Sequence, residues 1–174
     1  LAYAPDGKQF ASGGFDGRLL LWDATKREPL HEAEGHNAAI NDIAFDANGK
    51  LLATASSRDG GKVKLWNAAD LQLRQTLEGG QGAAYCVAFS PDGKTLVSGS
   101  GKSIALWNVA DGHALTAPFE ADSAVVYDLA YSPDGKLLAS AGQDGLRFWD
   151  AATRQALSPM LRGEQINAIA FSPN

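Results

Sequence analysis

The 174-residue chain is poor in the residues that carry most site chemistry, with one cysteine, one methionine and three histidines. The single cysteine, Cys86, excludes an internal disulfide framework. Its neighbours Tyr85, Val87, Ala88 and Phe89 are apolar, which marks a buried inert thiol, since a reactive one needs an electropositive, accessible setting. Basic clusters are missing too. The 15 Lys and Arg are scattered singly against 20 Asp and Glu, for a net charge of -5. A duplex-binding surface displaces counterions with clustered cations, so nucleic acid is not an expected partner. No apolar run approaches the roughly 20 residues that a helix needs to cross a bilayer, so no membrane is expected either. What remains, 45% hydrophobic and 20% charged, is the composition of a globular protein with a sizeable core. The expected location is cytoplasmic; the chain begins at Leu1, so a missing signal peptide says nothing of a longer parent protein.

Against these absences stands an internal period. The four tryptophans lie at 22, 66, 107 and 149, at intervals of 44, 41 and 42. Each ends an apolar run, as in Leu19-Leu20-Leu21-Trp22 and Ile104-Ala105-Leu106-Trp107, and is followed by Asp23, Asn67, Asn108 or Asp150. A second marker recurs as Leu1-Ala2-Tyr3, Ile43-Ala44-Phe45, Val87-Ala88-Phe89, Leu129-Ala130-Tyr131 and Ile169-Ala170-Phe171. After it comes a turn: Pro5-Asp6-Gly7, Ala47-Asn48-Gly49, Pro91-Asp92-Gly93 or Pro133-Asp134-Gly135. Pro presets φ, Asp tolerates the turn and Gly supplies positive φ, so each is a hairpin connection. Short β runs follow, such as Leu51-Leu52-Ala53-Thr54, then a Gly-rich turn and the Trp strand. A weaker strand comes last, as at Leu71-Gln72-Leu73-Arg74 or Ala156 to Met160. Each unit therefore holds four short antiparallel strands. One such sheet is too small to bury both faces alone and must stack on its neighbours, and radial stacking of sheets is a β-propeller.

The chain resembles the WD-repeat family over essentially its whole length. The Trp-Asp endings, the Ser-Pro-Asp-Gly-Lys hairpins, the Gly35-His36 pair and a period of about 40–45 residues carry the likeness. The expected fold is all-β: four consecutive four-stranded blades, approximately 1–35, 36–79, 80–121 and 122–162, then a further first strand over 163–174. Five inner-strand markers against four Trp strands point to an open arc of a larger ring, of seven or eight blades. A tight four-bladed closure and an eight-bladed ring of two copies are the alternatives.

The resemblance implies a buried network in each blade, of a His, a Ser or Thr, an Asp and the Trp. The indole N–H needs a partner when buried. A hydroxyl can accept from it and donate to His, leaving the second imidazole nitrogen for Asp. The second unit has the full set, His36, Thr54, Asp59 and Trp66, and is expected to be the stiffest. The first has Ser12, Asp16 and Trp22. The third has Ser98 and Trp107, with Gly80 and Gly101 in place of His and Asp. The fourth has Asp122 at the His position with Ser140, Asp144 and Trp149. His36 and Asp59 are thus read as architecture and not as catalysts.

Three strings mimic ligand motifs and fail on spacing. Ser98-Gly99-Ser100-Gly101-Lys102-Ser103 ends like a phosphate loop, but Leu96 stands where a Gly is needed and a Trp strand follows. His31 and His36 are five apart around Gly35, not four apart on a helix. The Asp-Gly turns are lone carboxylates without the alternating ligands of a calcium loop. No cofactor, metal or catalytic set is expected. The family likeness places partner contacts on the rim, at Phe15, Arg58 and Gln143 before the turn Asp, and at Asn37, Gln81, Ser123 and Gln165 where inner strands begin, with Ala39, Ala84 and Val125 beside them. Phe15 and Arg58 lead, because aromatic and Arg side chains dominate interface hot spots. The expected function is a non-enzymatic scaffold binding protein or peptide, including other domains of a longer parent chain. A sensor module of a signalling ATPase or kinase is the second reading, and a propeller hydrolase or lyase the third.

Overall fold

The computed structural model describes residues 1–56, 58–78, 82–121, 125–157 and 159–172. Its strands form four antiparallel sheets of four, each in chain order. The first holds β1 (Ala2–Tyr3), β2 (Gln9–Gly13), β3 (Arg18–Asp23) and β4 (Glu28–Glu34). The second holds β5 (Ile40–Phe45), β6 (Leu51–Ser56), β7 (Val63–Asn67) and β8 (Leu73–Leu77). The third comprises β9 (Ala84–Phe89), β10 (Thr95–Ser100), β11 (Ser103–Asn108) and β12 (Phe119–Glu120), and the fourth β13 (Val126–Tyr131), β14 (Leu137–Gly142), β15 (Gly145–Asp150) and β16 (Leu161–Arg162). There is no helix among the described residues.

Two side-chain devices recur in the turns of the sheets. Between the first two strands, Ser90 Oγ accepts from Thr95 N (3.0 Å) and donates to Asp92 Oδ1 (2.6 Å), which in turn accepts from Lys94 N (3.0 Å). Ser132 and Asp134 repeat this arrangement, and buried Asp46 replaces it in the second sheet by accepting from Lys50 N and Leu51 N at 2.8 and 2.9 Å. Gly7, Gly49, Gly93 and Gly135 close these hairpins at φ of 69, 69, 69 and 70°, which disfavours any side chain there. The residue after each Trp opens the last turn. Asp23 Oδ1 accepts from Thr25 N and Lys26 N, both at 2.8 Å, and Asp150 Oδ1 from Ala152 N and Thr153 N at 3.1 and 2.7 Å. These bonds favour the carboxylate form and hold both groups below the usual carboxylate range.

The outermost strands differ from the sequence expectation. Leu71 is not in a strand: it closes the turn at φ 55°, its N–H bonded to Asn67 O, and β8 begins two residues later. In the fourth sheet Ala156 makes only an isolated bridge to Trp149, and the strand proper is Leu161–Arg162. Pro159 lies between, and a proline gives no N–H to a ladder. Pro118 precedes the equally short β12.

Stacking supplies the core. The inner strands β1, β5, β9 and β13 follow one another, with β1 and β2 against β5, β5 and β6 against β9, and β9 and β10 against β13. Three apolar clusters result, built alike. Ala11, Leu19 and Leu21 of the first sheet meet Ile43, Leu52 and Trp66 of the second. Ala53, Val63 and Leu65 then meet Val87, Leu96 and Trp107, and Val97, Ile104 and Leu106 meet Leu129, Leu138 and Trp149. Trp66, Trp107 and Trp149 thus each face the preceding sheet. Trp66, Trp107 and Trp149 are buried, whereas Trp22, which has no preceding sheet, is half-buried on an aromatic face with Phe10 and Tyr3. On the far side Ile169, Ala170 and Phe171 lie against Ala139, Leu146 and Phe148 around a cavity of about 310 Å³. The assembly is an open arc of β-propeller blades.

Leu65 is 2% exposed between the second and third sheets. Leu65→Ala should destabilise the chain by about 2–5 kcal/mol, from lost burial plus a cavity. Leu30→Ala on exposed β4 should stay within about 0.5 kcal/mol. Urea unfolding checks both, with a lowered midpoint and unchanged slope expected for Leu65→Ala.

Candidate functional site

The polar chemistry lies in two places, a buried network behind each Trp and an exposed rim of turns. The network follows from register. Trp66 pairs with Leu52, so Thr54, two residues along on the same face, is its diagonal neighbour. Trp66 Nε1 donates to Thr54 Oγ1 at 2.9 Å. His36 precedes β5, and its Nε2 lies 2.8 Å from the same hydroxyl while its Nδ1 lies 3.2 Å from Asp59 Oδ2. Because Thr54 accepts from the indole, its hydroxyl hydrogen is free for Nε2, which places the imidazole proton on Nδ1, toward Asp59. Burial pushes the His36 pKa down, and the Lys64 charge pushes it further, against the opposing pull of Asp59, so the ring is neutral. Lys64 Nζ donates to Gly35 O at 2.7 Å and lies 5.7 Å from the centroid of the Trp66 ring.

The Trp bond recurs in the other sheets. Trp22 Nε1 donates to Ser12 Oγ at 2.8 Å, and Trp107 and Trp149 donate to Ser98 and Ser140, both at 2.9 Å. Asp16 is exposed and engages Arg18, accepting from its N–H at 3.1 Å with Nε at 3.9 Å. Asp144 is half-buried, and its carbonyl accepts from Gly163 N at 3.3 Å. Gly80 and Asp122 lie outside the described residues.

A polar pair that the sequence reading passed over joins successive blades. Asp42 Oδ1 accepts from Ile43 N at 2.8 Å, and its Oδ2 reaches across to Val87 N of β9 at 2.9 Å. Asp128 does the same with Leu129 N (2.8 Å) and with Ile169 N (2.7 Å). Burial pushes both carboxyls above the usual range, against the pull of those N–H bonds. Cys86 holds the corresponding place on β9, its Sγ 4.0 Å from Val126 O, and burial raises its thiol well above the ordinary value. The signal was present: an Asp directly before the Ile43 and Leu129 markers, inside a largely apolar strand.

On the rim, the structure brings Phe15 and Arg58 together from the turns of adjacent sheets, with the guanidinium 5.8 Å from the ring centroid. Phe15 is 81% exposed. Gln143 is exposed, its backbone N–H bonded to Val125 O, and Asn37 is exposed beside buried His36. Gln165 is exposed and donates to Asn167 Oδ1 at 2.6 Å. Ala39 and Val125 are half-buried and Ala84 is buried. Gln81 and Ser123 lie outside the described residues. Among the described residues no three His, Cys, Asp or Glu side chains gather as a metal site, and no helix is long and apolar enough to cross a membrane.

A family model described as "WD domain, G-beta repeat" matches residues 1–23, 27–67, 71–108 and 113–150. Each of the last three matches runs from the outer strand of one sheet through the Trp strand of the next, so each of these three ties two neighbouring sheets covalently. The chain is 39% identical over 56 residues to the U5 small nuclear ribonucleoprotein 40 kDa protein of Homo sapiens, 32% of this chain and 16% of that protein. It is 35% identical over 57 residues to the mitotic checkpoint protein bub3 of Dictyostelium discoideum, 33% of this chain and 17% of that protein. With Protein HIR1 of Yarrowia lipolytica it shares 36% over 56 residues, 32% of this chain and 5% of that protein. These matches span less than a fifth of each relative's length.

Thr54→Val keeps the shape but strips partners from the Trp66 indole and the His36 imidazole. At about 1–3 kcal/mol per orphaned group, it should cost about 2–6 kcal/mol, against about 1–3 for Ser98→Ala, measured by chemical denaturation. The lowered His36 pKa sets a pH dependence. Below the ordinary 6.5 the unfolded chain binds the proton more readily than the folded one. The His36 contribution is therefore complete above 6.5 and declines as pH falls from 6.5 through the lower folded value. Thermal midpoints across that window should fall less steeply in His36→Gln; an identical slope would contradict the assignment.

Proposed function

The chain belongs to the WD-repeat family, and from that premise we propose that it is a non-enzymatic scaffold whose rim, centred on Phe15 and Arg58, binds a protein or peptide. The observation that carries this reading is the exposure of one aromatic ring. Of the seven phenylalanines, six are half-buried, and Phe15 stands out at 81% exposure, above Tyr3 at 61%, under an exposed guanidinium from the neighbouring blade. A large ring beside an Arg is the composition that dominates interface energetics. Both residues sit in turns between strands of a stacked sheet, so little ordering is left for binding to bring about.

The partner is a protein or peptide, in another chain or in another domain of a longer parent. The net charge of -5 argues against a nucleic acid. A buried thiol as the only cysteine suits a reducing compartment, and the proposal includes a cytoplasmic setting. Rim contacts at Gln143, Asn37, Gln81, Ser123 and Gln165 complete the proposed surface.

A photoreactive benzoylphenylalanine in place of Phe15 tests the reading against the same group at Ala47, an exposed hairpin residue between β5 and β6. Irradiation in cell extract should give discrete protein adducts from position 15 and none of the same species from position 47. Adducts that are identical from both positions, or absent from position 15, would contradict it.

A further inference from the structure

We infer that the Phe15–Arg58 pair receives an acidic–apolar peptide segment, with an Asp or Glu carboxylate on the Arg58 guanidinium and an adjacent apolar side chain on the Phe15 ring. The inference rests on the interaction reading above and adds the chemistry of the partner. It follows from where the neighbouring charges are spent. Asp59, next to Arg58 in the chain, is turned inward, its Oδ2 3.2 Å from His36 Nδ1 and its Oδ1 3.9 Å from Lys62 Nζ. Asp16, next to Phe15, holds its own turn and Arg18. Glu32 on β4 takes Arg18 Nη1 at 3.1 Å. Asp16, Glu32 and Asp59 are thus engaged elsewhere, Glu34 lies opposite Arg18 on β4, and among the described residues no ion pair neutralises Arg58.

The contact with Phe15 does not satisfy the guanidinium. A cation over a ring uses the ring's face and leaves the guanidinium N–H groups without acceptors. Those donors form a planar fork that matches a carboxylate in bidentate fashion, and holding the group over Phe15 removes part of the rotamer freedom that such a bond would otherwise cost. A purely apolar partner would desolvate the fork without pairing it, which is unfavourable. A basic partner would meet Arg58 and the partly exposed Lys62 as like charges. A carboxylate beside an apolar group satisfies both members of the pair at once, because Phe15 keeps most of its surface in water even with the guanidinium above it.

A random dodecapeptide library displayed on phage is the probe, panned on the 174-residue chain, on Phe15→Ala, on Arg58→Ala and on Arg58→Glu. The unsubstituted chain should enrich sequences with Asp or Glu beside Phe, Leu, Ile or Trp. A synthetic peptide of the enriched sequence should bind about tenfold more weakly to Phe15→Ala and to Arg58→Ala, and more weakly still to Arg58→Glu. Arg58→Glu should enrich basic residues instead. Thermal midpoints should match across the variants, since both side chains are exposed, so that a loss of binding is not a loss of fold. Enriched peptides without acidic residues, or binding that survives Phe15→Ala and Arg58→Glu, overturn the inference and leave the scaffold reading standing. No enrichment above the uncoated support overturns both.

Discussion

Each sheet here has two apolar faces, and that constraint governs the rest. In β6 the residues Leu52, Ala53, Thr54, Ala55 and Ser56 are all buried, so there is no alternation between a core face and a wet face. Such a sheet has no stable existence by itself; it needs a neighbour on either side. One face offers Leu and Val side chains, as at Val63 and Leu65, and the other offers the Trp with a large aliphatic beside it, as at Trp66 and Leu52. Repetition of that pairing builds the arc. Burying an indole brings a second obligation, because its N–H must find an acceptor. The diagonal cross-strand position supplies a hydroxyl in every sheet, at Ser12, Thr54, Ser98 and Ser140.

The buried network and the rim are connected through one turn. Asp59 bonds to His36, which is fixed through Thr54 to the Trp66 ring. Arg58 is the residue directly before Asp59, so the same bond that completes the network anchors the backbone that carries the guanidinium over Phe15. In the first sheet Asp16, the residue after Phe15, is held by its own turn and by Arg18. The two turns are thus held from different sources, as the proposed scaffold role would require. Asp42 and Asp128 extend the same economy between blades, since one carboxylate serves its own strand and the next.

The sequence made the fold legible because the period was marked twice, by Trp22, Trp66, Trp107 and Trp149 and by the Ile43-Ala44-Phe45 type of inner strand. The face each Trp presents was also implicit, in the Ser or Thr that had to accompany it. What stayed hidden depends on the neighbouring blade or on the backbone. An Asp at 42 reads as a polar residue in a strand until the amide of Val87 is seen to face it. The length of the outer strands depended on Pro118, Pro159 and the left-handed Leu71, whose effects are local to the backbone and invisible to a hydropathy pattern. The contact between Phe15 and Arg58 joins two turns far apart in the chain, and only the stacking geometry brings them within 5.8 Å.

Trp66, Trp107 and Trp149 each pack against the sheet before them while Trp22 has none to cover it, and the indole N–H groups report on that individually. Deuterium exchange at the four indole N–H resonances, followed by NMR after assignment through Trp→Phe variants, measures it most directly. Trp66, Trp107 and Trp149, at 3%, 1% and 4% exposure, should exchange slowly and together, and half-buried Trp22 should exchange first. Fast exchange at Trp66 or Trp107, or four indistinguishable rates, would contradict the stacked arc.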